Sequence, residues 1–404
     1  MQLLSVRKLI VLMAFACTMA IGLPACGEVP GSERPASPKE RLHGKLEVLN
    51  GYRVLSVDGT PEQIGTAYGT LLREPIARVI RDMITDGIGK DQEAYRNILA
   101  GGKLMEAHQP KDYLDELKAI AKAAEVSYDD LLLLQYFGDV RRAIKGPGSS
   151  HLCTSFAIMP PHTRERACIV GRNFDYFDNG VGNYASTIVY YRPEGKIPFV
   201  TITWTGIANG WTIINEKGIV VSNNTSWSDG NRLEGISTCY LLRYVAERAG
   251  TVREGVKLIE EAQRACGTSV LVASGNPPDA MIVEFDCNNI AVLKPVGGFV
   301  GAGNGFQLLY QGEQPLAYWG RIGRALSLTL ANSGRIDLDC NIAGTEGVPI
   351  DSMNLHSAMI DATSLRFRVA MGKIPAYRLP YRAFRLTANG VEADVAPKNM
   401  KTPE

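Results

Sequence analysis

The sequence predicts an α+β protein in one large domain, with strands and helices in separate layers. Three observations carry that reading. Helical periodicity dominates from 59 to 143, short apolar strands fill most of 153 to 224, and a helical pair then interrupts the strands before they return. The chain has 404 residues, 45% hydrophobic and 21% charged, which is ample material for a large core. Lys plus Arg (43) almost cancels Asp plus Glu (42), so the charge balance gives no reason to expect nucleic acid as a partner.

Arg7 and Lys8 precede an apolar run from 9 to 23, the layout of an export signal. Leu23-Pro24-Ala25-Cys26 resembles a bacterial lipobox, in which Cys26 becomes lipid-modified after cleavage. Pro24 departs from the usual residue there, and plain secretory cleavage is the alternative. Residues 1–26 are therefore expected to be a signal with a lipobox. Residues 27–41, rich in Pro, Gly, Ser and charge, are expected to be a flexible tether. The expected location is the bacterial envelope, periplasmic or at the cell surface, with the membrane reached only through the lipid. No later run approaches the ~18 apolar residues that span a bilayer.

A strand is expected over 46–57. Thr60, Pro61 and Gln63 then read as N-cap, first helical position and capping-box partner, with Ile64, Ala67, Tyr68, Leu71 and Leu72 on one buried stripe. Further helices are expected over 92–99, 112–124 and 128–143, the last capped by Ser127 with Asp130. The Gly- and Ser-rich stretch 146–150 ends this part, so 42–152 reads as mostly helical. Strands follow over 153–159, 167–173, 186–191, 199–204, 211–214 and 218–223, punctuated by Pro160-Pro161 and by Asn215 to Gly218. Helices are expected over 237–248 and 252–266, strands over 269–273, 280–285 and 290–293, a helix over 316–331, and strands over 355–360, 367–371 and 381–386. No repeat or linker divides 153–404 from what precedes it.

The chemistry gathers in the stretch HLCTSFAIMPPHTRERACIVGRNFDY (151–176). A core hairpin needs no thiol, guanidinium and carboxylate at its ends. A free Cys has a pKa of about 8.5, so Cys153 needs a base or a nearby cation to act as nucleophile. His151 is one candidate base. A cut between Leu152 and Cys153 creates another, because the new α-amino group, with a pKa of about 7.7 to 8.0, belongs to the nucleophile's own residue. Arg172 on the neighbouring strand would then stabilise the thiolate, and Asp175 would orient the amine. The bland alternatives are a packing Cys and a structural Arg172–Asp175 ion pair. The eight Cys, two of them in the signal region, do not form a disulfide framework, and no spacing points to a zinc site.

CTS followed by GRNFDY resembles the cysteine-type N-terminal-nucleophile hydrolases, which include acid ceramidase, choloylglycine hydrolase, penicillin V acylase and the isopenicillin N acyltransferase-like proteins. The resemblance places the family's nucleophile on Cys153, its Arg on Arg172 and its Asp on Asp175. INEKGIVVSNN (214–224) is similar to the family segment ending in an oxyanion-hole residue, so Asn223 or Asn224 takes that role. GAGNGF (301–306) puts a second family Asn on Asn304, where Gly305 replaces the His common in the acyltransferase-like branch. WGRIGRAL (319–326) offers Arg321, preferred, or Arg324. GTPEQIGTAYG (59–69) and 356–386 extend the resemblance over about 51–386.

The resemblance implies a four-layer αββα sandwich, two stacked antiparallel sheets between helix layers. It also implies an exported, self-cleaving amidohydrolase that acts on a linear amide with an apolar acyl group through a Cys153 thioester. No metal or organic cofactor is expected. The two fragments are expected to stay together and the substrate to be a small amide. Acyl transfer to an amine, and a non-catalytic surface lipoprotein of the same fold, are the other readings.

Overall fold

The computed structural model describes residues 41–145, 153–176, 179–226, 228–310 and 320–395. The expected signal and lipidation site, including Cys26, and the Leu152 side of the expected cut lie outside these residues, as does His151. From Leu42 onward the chain is one compact unit.

The body opens with a hairpin, β1 (Gly44–Leu49) and β2 (Tyr52–Gly59), where one continuous strand was expected. The chain reverses at Asn50-Gly51, both at positive φ, which is the backbone demanded by a two-residue hairpin turn. Helix α1 (Pro61–Leu71) begins as expected: the Thr60 hydroxyl accepts from the Gln63 N–H and the Gln63 side chain accepts from the Thr60 N–H. α2 (Arg73–Ile80) runs into a π-helical turn, Arg81–Thr85. α3 (Gln92–Glu106), α4 (Lys111–Ala124) and α5 (Tyr128–Lys145) complete the helical part.

β3 (Thr154–Ile158) and β4 (Ile169–Asp175) form the expected hairpin. Gly171 is required inside it, since an added Cβ would lie 2.0 Å from the Phe156 ring. Next come β5 (Ser186–Pro193), β6 (Phe199–Trp204), β7 (Thr212–Asn215) and β8 (Ile219–Thr225). α6 (Thr238–Ala246) and α7 (Val252–Glu261) interrupt the strands, α7 ending five residues before the expected Cys266. β9 (Thr268–Gly275), β10 (Pro278–Phe285), β11 (Ile290–Leu293) and β12 (Phe299–Ala302) follow. α8 (Gly320–Ala331), β13 (Asn354–Asp361), β14 (Arg366–Met371), β15 (Arg382–Thr387) and β16 (Gly390–Ala393) close the fold.

The strands form two sheets, ordered β1-β2-β5-β6-β7-β8-β9-β10-β11 and β12-β3-β4-β13-β14-β15-β16. Side-chain alternation assigns the layers. In the first sheet Val54, Ile188, Val200, Val220 and Leu271 meet Ala157, Val170, Val300, Ala358 and Phe367 of the second, so the two sheets stack. The intervening residues Leu55, Val189, Val221, Val270 and Val283 pack under α1 to α7. On the far face of the second sheet, Phe156, Ile158 and Ile169 pack with Ile322, Ala325 and Leu328 of α8. The result is the expected four-layer αββα order, with one correction: β2 and β5 pair in parallel, because α1 to α5 and the β3–β4 hairpin intervene between them. All other pairings between these strands are antiparallel.

Candidate active site

Cys153 precedes β3 at one end of the sandwich and is buried. Strand parity decides what surrounds it. Residues 153, 155 and 157 share one face of β3, and 170 and 172 share one face of β4, so Ser155 and Arg172 point between the sheets. Asn224 and Thr212 point into the same layer from β8 and β7, and His356 from β13. They form a buried polar cluster. Arg172 donates from Nη1 to Ser155 Oγ (3.1 Å) and Asn224 Oδ1 (3.0 Å), and from Nε to Thr212 Oγ1 (3.4 Å). Arg172 Nη2 has no hydrogen-bond partner among the described residues.

Burial pushes the Cys153 thiol up, and the Arg172 guanidinium works against that by favouring the thiolate. The thiol also lies 3.9 Å from the Asp175 carbonyl oxygen. At neutral pH, then, the sulfur retains its proton until a base removes it.

Asp175 does not pair with Arg172. The two residues, an odd number of positions apart on β4, point to opposite faces. The Asp175 carboxylate accepts instead from Asn354 Nδ2 (2.7 Å) and from the Ile350 N–H (3.3 Å). Burial raises its pKa to about 7, against the pull of these hydrogen bonds and of Arg321 and Arg172.

Asn223 and Asn224 also separate by parity. Asn224 holds Arg172, whereas Asn223 faces the cavity at Cys153, with its Oδ1 unpartnered. Asn304 donates from Nδ2 to the Thr225 carbonyl (2.8 Å) and accepts at Oδ1 from Arg321 Nη2 (2.8 Å). That amide has a second N–H to offer an oxyanion. Arg321 also reaches the Cys153 carbonyl (3.3 Å), while Arg324, three residues on, is exposed. The loop that carries Asn304 is fixed from beneath by Glu284 of β10, whose buried carboxylate accepts from the consecutive N–H groups of Gln307, Leu308 and Leu309.

Several residues here escaped sequence reasoning. His356 accompanies Arg172 through Thr212 Oγ1, 2.8 Å from its Nε2, and burial and the Arg172 charge hold it neutral. Asn354 and Glu284 fix Asp175 and the Asn304 loop. No local spacing relates these residues to Cys153; the β4–β13 and β9–β10 pairings do. The same holds for the wall of the cavity, where Phe174 stacks on Trp211 and Trp204 meets both rings edge-on. With Met83, Ile84 and Phe137 they line a cavity of about 60 Å3 at the thiol. The aromatic wall suits an apolar group, and the polar lining consists of Cys153, Asn223 and Thr225 together with Gln135, Asp139, Arg142 and Thr238.

Cys153, Cys168, Cys239, Cys266 and Cys287 are free thiols, and no cluster of three metal-ligating side chains occurs among the described residues. Nor does any described helix have the length and apolarity to cross a membrane.

Comparison with known proteins adds a family match. The model for acyl-coenzyme A:6-aminopenicillanic acid acyl-transferase matches residues 162–308. Protein dcd1A of Dictyostelium discoideum is 22% identical over 65% of this chain and 66% of its own length; dcd1B of the same organism is 19% identical over 67% and 58%. The match thus spans less than two thirds of the length of either relative, 66% of dcd1A and 58% of dcd1B. Among solved structures, a Caenorhabditis elegans N-acylethanolamine-hydrolyzing acid amidase ortholog aligns at 17% identity and a TM-score of 0.42, over 52% of this chain and 93% of its own. A variant of conjugated bile acid hydrolase from Clostridium perfringens aligns at 13% and 0.41 (62% and 98%), and penicillin V acylase from Agrobacterium tumefaciens at 13% and 0.38 (62% and 100%).

Proposed function

We propose that this chain, whose residues 162–308 match the model for acyl-coenzyme A:6-aminopenicillanic acid acyl-transferase, is a cysteine amidohydrolase of the N-terminal-nucleophile type that matures by cutting itself between Leu152 and Cys153. The observation that carries this reading is a buried thiol with a cation, Arg172, beside it and a partly aromatic cavity in front of it, while Arg321 joins the Cys153 carbonyl to the amide of Asn304.

In the precursor, Cys153 Sγ attacks the Leu152 carbonyl carbon, the thiol proton passes to the Cys153 nitrogen, which leaves as the new amine, and water hydrolyses the resulting thioester. In the mature enzyme that amine takes the thiol proton as Sγ attacks a linear amide. The second N–H of Asn304 and the backbone near Asn223 receive the oxyanion. The amine then gives its proton to the leaving nitrogen, and water releases the acyl group from the thioester. Arg172 favours the thiolate, and Asp175 accepts from the ammonium that forms. The aromatic wall favours an apolar acyl group. Acyl transfer, in which an amine replaces water in the last step, is the second reading, favoured by the acyl-transferase description of the matched family. Export and a lipid on Cys26 remain part of the proposal on the sequence alone.

Intact mass and N-terminal sequencing of the purified chain test the mechanism. A fragment beginning Cys-Thr-Ser supports it; active, uncut enzyme would refute the self-supplied base and leave His151 as the base.

A further inference from the structure

We propose that His356 of β13 is a positioning residue for the thiol, setting the guanidinium of Arg172 through the hydroxyl of Thr212; that the thiol acts on amides rests on the reading above. The placement follows from register. β13 runs antiparallel to β4 with His356 opposite Phe174 and Ala358 opposite Arg172, so the imidazole stands on the same buried face as the guanidinium, one cross-strand pair away. Phe174 stacks on the imidazole at 5.2 Å between centroids, and Thr212 Oγ1 of β7 meets its Nε2 at 2.8 Å.

Thr212 fixes the direction of that bond. Of the two groups within hydrogen-bond reach of its hydroxyl among the described residues, Arg172 Nε, 3.4 Å away, can only donate, so the hydroxyl proton goes to His356 Nε2. The imidazole then carries its own proton on Nδ1, and burial and the Arg172 charge exclude a second one. A hydroxyl that donates is a stronger acceptor, so His356 strengthens the hold of Thr212 on Nε. Nη1 is committed to Ser155 and Asn224, and the guanidinium is thereby anchored at both ends. Among the described residues no carboxylate pairs with Arg172. Neutral acceptors hold it without compensating its charge, which stays available to the Cys153 thiolate.

Alkylation of Cys153 by iodoacetamide across a pH series, read by mass spectrometry of the Cys153 peptide from the full-length protein, tests this without a substrate. His356→Phe keeps a ring against Phe174 and removes the acceptor, so it is expected to raise the midpoint of the profile by roughly half to one pH unit. His356→Gln restores an acceptor without the ring and should return the midpoint most of the way. Thr212→Val, which breaks the same link and retains the imidazole, should raise it at least as far as Phe does, and serves where the Phe variant does not fold. Self-cleavage lost in the Phe variant and regained in the Gln variant would be the same effect on the thiol's first reaction. A wild-type midpoint in the Phe and Val variants, or equal displacement by Phe and Gln, would overturn the positioning role. Amide turnover is measured separately: its absence in the wild-type chain counts against the amidase reading, while the alkylation profiles still decide the role of His356.

Discussion

Arg172 uses the shape of its side chain as much as its charge. Nε and Nη1 reach three acceptors on three different strands, which leaves Nη2 without a hydrogen-bond partner among the described residues. Lys has one point of charge and cannot hold that fork, so Arg172→Lys is expected to fold but lose at least roughly tenfold in turnover, with Ser155 and Asn224 left underbonded. Kinetics at wild-type level would reduce Arg172 to scaffolding. Asn304→Ala should lower kcat by roughly 10² to 10³ if its second N–H meets the oxyanion, and a change in KM alone would remove it from that role. At this scale the sequence was informative where residues lie on one hairpin: Cys153, Arg172 and Asp175 are brought together by the β3–β4 register. It was silent on which way each side chain points. The odd spacing of Arg172 and Asp175 in a strand puts them on opposite faces, which rules out the ion pair that proximity in sequence invites, and the same parity separates Asn223 from Asn224.

At the scale of elements, the Asn304 loop follows β12, a four-residue strand that sequence reading passed over because its Gly301 and Ala302 give little strand signal. Its conformation depends on β10 instead. Glu284 is buried and accepts from three consecutive backbone N–H groups, and burial raises its pKa in spite of them. Glu284→Gln places an amide N–H against a backbone N–H and should cost about 1–3 kcal/mol in stability, read by urea denaturation. Turnover should fall more than affinity, because the loop sets the donor and not the cavity wall. Retention of both would detach Glu284 from Asn304. The π-helical turn and the β1–β2 hairpin were missed for related reasons. A five-residue π turn has no periodicity of its own, and the Asn50-Gly51 signal was absorbed into a continuous apolar run. Capping of α1 was legible because it is written within four residues.

For the whole molecule, the proposed cut leaves two fragments tied by more than apolar burial. β2, from the first, pairs with β5 of the second. Glu116 of α4 pairs with Arg243 of α6, both fully buried. Asp139 of α5 accepts from the Thr238 N–H at the start of α6. The fragments should therefore elute as one species in size exclusion and separate only in denaturant; dissociation in native buffer would contradict this ladder. Removing one partner of a buried pair strands the other, but Glu247 still neutralises Arg243, so Glu116→Ala should destabilise by roughly 2–4 kcal/mol.

The uncut molecule also carries a pH signature, and it belongs to Asp175. The folded chain holds a proton on this carboxyl up to about pH 7, whereas the unfolded chain releases it near 4. Between those values the folded state binds more protons, so this group lowers stability as pH rises from about 4 to about 7, and the loss persists above. About three units of displacement correspond to a contribution on the order of 4 kcal/mol. In a Cys153→Ala precursor, which cannot cut itself, Asp175→Asn should flatten that part of the dependence, compared by urea melts at pH 5 and pH 8. If cleavage places an ammonium beside Asp175, the carboxylate gains a partner and its pKa should fall, so the mature enzyme should lose less stability over the same range than its precursor. Equal slopes in precursor and mature enzyme would mean that the new amine does not reach Asp175, and the orienting role assigned to that carboxylate would fail.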